Sequence, residues 1–187
     1  MDSYFSEEEL SQIGFLKFGK NVKISRKSSI YSAEKISLGS NVRVDDFCIL
    51  SGLITIGDYV HINPYNGIFA GDEGVTLEDF VNLSSKITIY AVSDDYSGTY
   101  LTTPLIPDSR QYLTKSPVII KKYVVIGTGS SVLPGVIIEE GCAIGAMSLV
   151  RSNTDAWGIY AGNPLKFIRA RKKELLDYLP DDKKAIS

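Results

Sequence analysis

Apolar side chains recur in this chain at every sixth residue, and few folds can satisfy that spacing. The first rungs are Phe18, Ile24 and Ile30, and after a two-residue slip they continue at Leu38, Val44, Leu50, Ile56, Ile62 and Ile68. A three-residue insertion precedes Leu77, Leu83 and Ile89. After a long excursion the ladder resumes at Ile120, Ile126, Val132, Ile138, Ile144 and Val150. A second apolar series sits four residues after the rungs, at Val22, Val42, Cys48, Ile54, Val60, Val81, Ile87, Val124, Val136 and Cys142. Gly follows the rung directly at Gly19, Gly39, Gly57, Gly127 and Gly145, where a tight corner favours it.

A half-buried strand repeats every two residues and an amphipathic helix every 3.6, so a period of six fits neither alone. It fits short strands joined by turns, three hexapeptides to a coil, each coil burying the inner face of the next. Eighteen rungs then give about six coils of an all-β, parallel β-helix over residues 18–155, interrupted by a long protruding loop at 91–117. Unstructured loops of that length in a compact domain are usually lids or binding loops. The 187 residues read as a single domain, 1–187.

Both ends depart from the repeat. Ser6-Glu7-Glu8-Glu9 ahead of Leu10 is a capping box and Gly14 a stop, which predicts a short helix over 6–13. Asn163-Pro164 as N-cap and first helical residue predicts a second helix over 164–179. The two helices are expected to cap a solenoid whose ends otherwise present unpaired strand edges.

Lys plus Arg number 20 against 22 Asp plus Glu, a net charge of −2, which argues against a nucleic-acid or membrane-surface protein. No apolar run approaches a membrane span and the N-terminus lacks a basic-then-apolar leader, so the expectation is a cytoplasmic chain without membrane insertion. Cys48 and Cys142 both fall in the inner slot of separate coils, which makes them core thiols rather than a disulfide or metal pair.

The segment Ile126-Gly127-Thr128-Gly129-Ser130, Leu133-Pro134-Gly135-Val136, Ile144-Gly145-Ala146-Met147-Ser148-Leu149-Val150 and Ala161-Gly162-Asn163-Pro164 resembles the C-terminal signature of the hexapeptide-repeat acetyltransferases. The similarity is to galactoside and maltose O-acetyltransferases and to sugar acyltransferases of bacterial polysaccharide pathways. It implies a left-handed β-helix, against the usual right-handed crossover, and a homotrimer with active sites between subunits. It also implies acetyl-CoA as co-substrate, no metal, and a sugar or nucleotide-sugar acceptor.

Residue by residue, the resemblance places Thr128 and Ala146 along the pantetheine arm of CoA, and Lys166 and Arg169 at its phosphates. Cationic side chains of both kinds suit phosphate oxygens. Arg151 joins the cofactor residues in place of a residue that is usually Thr. Asn63 and Asp72 match residues that bind sugar hydroxyls, and the long loop closes the acceptor site from a neighbouring subunit. The family's general base is a His on that loop, where this chain has Asp94, with Asp95 beside it to position the acceptor. The only His, His61, directly precedes an inward rung and so faces outward.

The reaction expected from these residues is acetyl transfer to a sugar hydroxyl, in surface polysaccharide or O-antigen biosynthesis, with His61 or Asp94 as base. The alternative is N-acetylation of a nucleotide-linked amino sugar, whose neutral amine is already nucleophilic and needs no enzymic base. A non-catalytic β-helix scaffold is the alternative of another class. Carbonic anhydrases of similar fold bind zinc through three His, which a chain with one His does not supply.

Overall fold

A strand of two or three residues has too few hydrogen bonds to stand alone, and stacking supplies what it lacks. The computed structural model describes residues 3–105 and 112–184; part of the long loop, including Pro107, lies outside the described residues. Strands Lys17–Phe18, Lys23–Ile24 and Ser29–Tyr31 form three sides of the first coil, and each later coil pairs in parallel on the one before. On the first face Phe18, Leu38, Ile56, Leu77, Ile120 and Ile138 stand in register. The second face aligns Ile24, Val44, Ile62, Leu83, Ile126, Ile144 and Tyr160. The third aligns Ile30, Leu50, Ile68, Ile89, Val132 and Val150. Tyr160 is a rung that the six-residue pattern does not reach, and with it the solenoid makes about seven turns rather than six.

The core is this triangular interior. Rungs of the inner coils are 0–3 % exposed, and the second slot from Val42 to Cys142 is buried with them. Phe18, Val22 and Ile30 are only partly buried, because the first coil has a neighbour on one side alone. Helix Glu7–Ile13 covers that end, with Leu10 turned into the core. The expected capping box is present: Ser6 Oγ accepts from Glu9 N, Glu9 Oε2 accepts from Ser6 N, and Gly14 ends the helix at φ 85°. Both cysteines are free and buried, and burial pushes the Cys48 thiol up to about 11.

The corner between the first and second faces uses the left-handed backbone region at Asn21, Asn41, Tyr59, Phe80, Tyr123 and Trp157. The rings stack along it, Tyr59 on Phe80 at 5.0 Å, Phe80 on Tyr123 at 5.4 Å and Tyr123 on Trp157 at 6.2 Å. Gly141 occupies the same corner, and a Cβ there would lie 2.4 Å from the Trp157 ring.

The C-terminal segment corrects the sequence reading. No helix spans 164–179; strand Lys166–Ala170 pairs antiparallel with strand Gly158–Ala161, followed by a 3-10 turn at Glu174–Tyr178 and a short helix at Asp181–Lys184. The last strand of the second face has an open edge of N–H and C=O groups, and a strand satisfies that edge where a helix does not. Phe167 and Ile168 also favour strand. The long loop leaves the solenoid at Ala91 and returns at Val118, its base a short antiparallel pair of Val92–Asp94 with Leu113–Lys115. Among the described residues no helix is long and apolar enough to cross a membrane.

Replacing Ile144, 3 % exposed, with Asp places an unpaired charge in the core and is expected to cost more than about 3 kcal/mol in urea unfolding. Lys23→Ala on the exposed side of the same face is expected to stay within about 0.5 kcal/mol of the parent. Similar midpoints for the two variants would contradict the rung assignment.

Candidate active site

Along each short strand the residues flanking an inward rung point outward. On the second face this produces two outer columns. Before the rung stand Arg43, His61, Asn82 and Val125. After it stand Asp45, Asn63, Ser84, Gly127 and Gly145, linked coil to coil through backbone bonds from each residue to the rung above. The early coils thus present a polar patch, and the later coils present bare backbone.

Asp45 is the centre of the patch. It is 7 % exposed, and its carboxylate accepts from His61 Nε2 at 2.8 Å, Arg43 Nε at 2.7 Å and the Tyr4 hydroxyl at 3.1 Å. Burial alone would raise its pKa, but the hydrogen bonds from His61, Arg43 and Tyr4 hold it below the usual carboxylate value. The ionised carboxylate fixes the imidazole ring, and the bonding assigns a proton to Nε2. His61 Nδ1 lies 3.4 Å from Asn63 Nδ2, which also donates to Leu83 O at 2.8 Å and Asn82 Oδ1 at 3.3 Å. The Asn63 amide nitrogen is therefore committed to the framework of the site.

Thr128 and Ala146 sit one coil apart at the next corner, both exposed, and Thr128 Oγ1 donates to Ser85 O at 2.6 Å. The strip beside them admits no larger residue: a Cβ on Gly127 would lie 2.5 Å from Ala146 N, and one on Gly145 would lie 2.8 Å from Ala161 Cβ. Beneath the strip the buried hydroxyls of Ser130 and Ser148 donate to Gly127 O and Gly145 O. A smooth channel of this kind accommodates an extended, narrow chain.

Lys166 opposes Ala161 and Arg169 opposes Ile159 on the antiparallel edge strand. A spacing of three would put them on opposite sides of a regular strand. The register shift between these pairs leaves Ile168 unopposed, and the bulge returns both cations to the outer side where the glycine strip runs. Phe167, itself exposed, meets Tyr160 edge-on at 5.5 Å. Arg151 follows the rung Val150 and so belongs to the third face, apart from Lys166 and Arg169.

The remaining acidic residues gather elsewhere. Asp72 lies at the corner between the third and first faces, paired at 2.7 Å with Lys35, which holds its carboxyl below the usual range. Asp94 ends the strand whose Val92 packs against Gly71, so it shares the Asp72 corner. Asp95 is turned into its own loop, accepting from Ser97 N at 3.0 Å, Ser97 Oγ at 2.8 Å and Tyr100 N at 3.2 Å. These bonds shape the loop.

Within one chain, then, His61 and Asn63 share a face with Thr128, Ala146, Lys166 and Arg169, while Asp72 and Asp94 stand at a different corner. Sequence reasoning missed Tyr4, Arg43, Asp45, Asn82 and Ser84. The signal for four of them was their place one residue before or after a second-face rung, the rule that singled out His61. Among the described residues no group of three His, Cys, Asp or Glu side chains is placed to hold a metal ion.

Residues 117–152 match the family described as bacterial transferase hexapeptide (six repeats). The chain is 44% identical over 178 residues, 94% of its length and 92% of the relative's, to the dTDP-4-amino-4,6-dideoxy-D-glucose acyltransferase of Escherichia coli. It is 33% identical over 81% of its length, and 76% of the relative's, to the putative lipopolysaccharide biosynthesis O-acetyl transferase WbbJ of Escherichia coli K12. Among solved structures it superposes on AntD, an N-acyltransferase from Bacillus cereus, at TM-score 0.95 and 47% identity, with all of both chains covered. With its repeat, its corner glycines and its full-length likeness to these enzymes, the chain belongs to the hexapeptide-repeat acyltransferases and folds as their left-handed parallel β-helix.

Proposed function

We propose that this chain transfers an acyl group from a CoA thioester to the amino group of a dTDP-linked 4-amino-4,6-dideoxy sugar. The observation that carries this reading is the full-length likeness to AntD, 47% identical and crystallised with dTDP-4-amino-4,6-dideoxyglucose and CoA. The hydroxyl acceptor expected from the sequence has weaker support, a 33% likeness to an O-acetyl transferase over a shorter span. An N-acylated nucleotide sugar is a glycosyl donor, which suits a role in building surface polysaccharide.

The chemistry needs a neutral amine beside a thioester. The nitrogen lone pair attacks the carbonyl carbon, the C–N bond forms as the C–S bond breaks, the amine loses a proton and the CoA thiolate leaves. The glycine strip with Thr128 and Ala146 holds the pantetheine arm, and Lys166 and Arg169 meet the phosphates. His61, fixed by Asp45, and Ser84 line the acceptor side. AntD has been crystallised with its Ser84 and its Asp94 replaced, and this chain carries Ser84 and Asp94 at the same numbers. Asp94 takes the proton in this reading. Because Asp94 and Ser84 lie on different sides of one chain, a cleft containing both takes the loop from a second copy, and a homotrimer with three equivalent clefts provides it.

With a fixed acyl-CoA, kcat/KM for dTDP-4-amino-4,6-dideoxyglucose is expected to exceed that for its 4-hydroxyl counterpart by about 100-fold or more. A preference for the hydroxyl sugar would overturn the amine assignment. The double variant Lys166→Ala, Arg169→Ala is expected to raise KM for the acyl-CoA by about tenfold or more with kcat within about twofold, since phosphate contacts lie far from the reacting carbon. An unchanged KM would remove both residues from the cofactor site.

A further inference from the structure

Beside the polar patch the second face opens into a cavity of about 320 Å³. Its floor is Asn82 and Val125 of the outer column, one wall is Phe80 and Tyr123 of the aromatic corner, and its roof is Leu175 and Leu179 of the C-terminal tail. The roof is anchored at both ends. Arg171 Nη1 donates to the carbonyls of Tyr123 at 2.8 Å, Gly141 at 3.0 Å and Cys142 at 3.2 Å. Lys183 Nζ sits between Asp58 at 2.6 Å and Asp79 at 3.2 Å. The cavity is therefore built into the fold, as ligand pockets usually are.

Its position connects it to the reaction surface. Asn82 precedes Ser84 by two residues and Val125 precedes Gly127 by two, a distance of about 7 Å along an extended strand. The cavity mouth thus adjoins the strip on which the thioester would meet the amine. Its chemistry selects the ligand. The lining is mostly aliphatic and aromatic; its one cation, Arg171, is tied through Nη1 to three backbone carbonyls, and Lys183 outside it is held by Asp58 and Asp79. A single cation already bonded to backbone carbonyls is a poor match for a diphosphate, so a nucleotide is the poorer occupant and an apolar chain the better one. Asn82 at the mouth is the one amide side chain of the lining, placed to meet a hydroxyl on such a chain.

We infer that this cavity receives the acyl chain of the CoA thioester and makes the enzyme prefer acyl groups of about four carbons over acetyl, an inference that rests on the acyl-transfer reading above. AntD has itself been crystallised with 3-hydroxybutyryl-CoA, so donors of that length belong to the chemistry of a full-length relative. Two extra buried methylenes correspond to about a tenfold difference between donors.

The test measures the full chain with acetyl-CoA, butyryl-CoA, 3-hydroxybutyryl-CoA and hexanoyl-CoA, by calorimetric binding without acceptor and by kcat/KM with dTDP-4-amino-4,6-dideoxyglucose. Butyryl-CoA is expected to bind about tenfold or more tightly than acetyl-CoA, and Val125→Phe, which narrows the cavity, to abolish that difference. Leu175→Ala, in the roof, is expected to raise the relative affinity for hexanoyl-CoA. Equal affinities for acetyl- and butyryl-CoA in the parent overturn the inference, as does a preference that survives Val125→Phe in a variant with the parent's circular dichroism. A butyryl preference in binding with no acylation of the amino sugar would leave the cavity assignment standing and sink the acceptor assignment instead.

Discussion

Parallel stacking in register is the constraint from which everything else in this molecule follows. Each coil hydrogen-bonds to the next through equivalent residues, so Ile24, Val44, Ile62, Leu83, Ile126, Ile144 and Tyr160 fall in one line. Once the inward line is fixed, the outward lines beside it are fixed too. A side chain one residue from a rung meets its counterparts about 4.8 Å above and below. Chemistry can therefore be written along the outer face as a column, without disturbing the apolar interior that holds the coils together.

On the second face that column changes character along the axis. Asp45, Asn63 and Ser84, with His61 in the column beside them, give way to Gly127 and Gly145, so a hydrogen-bonding patch becomes a smooth strip. The change suits a reaction between a polar sugar and a thioester carried on a long flexible arm. The end of the solenoid serves the same face. Strand Lys166–Ala170 protects the open edge of Gly158–Ala161, and its bulge at Ile168 turns Lys166 and Arg169 to the same side as the strip. A device needed for stability thus also carries the cations proposed to bind phosphate.

The core was the most legible part of the chain, because a six-residue period leaves little choice about which side chains face inward. The N-terminal cap was legible through Ser6 and Glu9, whose reciprocal bonds depend only on local sequence. The helix read over 164–179 failed because Asn163-Pro164 is a local start signal. The decisive term was the distant edge of Gly158–Ala161, which recruits a strand whatever the local preference. Tyr160 escaped notice as a rung because Val150 is ten residues before it and breaks the period. In the candidate site, His61, Thr128 and Ala146 followed from position or resemblance, whereas the role of Asp45 depended on three partners from Tyr4, Arg43 and His61 that only folding brings together. The resemblance matched Asp72, with Asn63, to the acceptor residues and Asp94 to the base position on the loop; in a single chain both acids stand at a corner away from Asn63.

The central claim is that the second face of one copy and the loop of another make each reaction site. Subunit complementation tests it most directly. Asp94→Asn and Ser84→Tyr, each expected to be inactive alone, are co-expressed with different affinity tags and the mixed assemblies purified. Mixed assemblies contain clefts in which an intact second face meets an intact loop, so a substantial fraction of parent acyl transfer is expected to return. Mixed assemblies that form with the parent's size and remain inactive would show that Ser84 and Asp94 must come from the same chain, and would contradict the account.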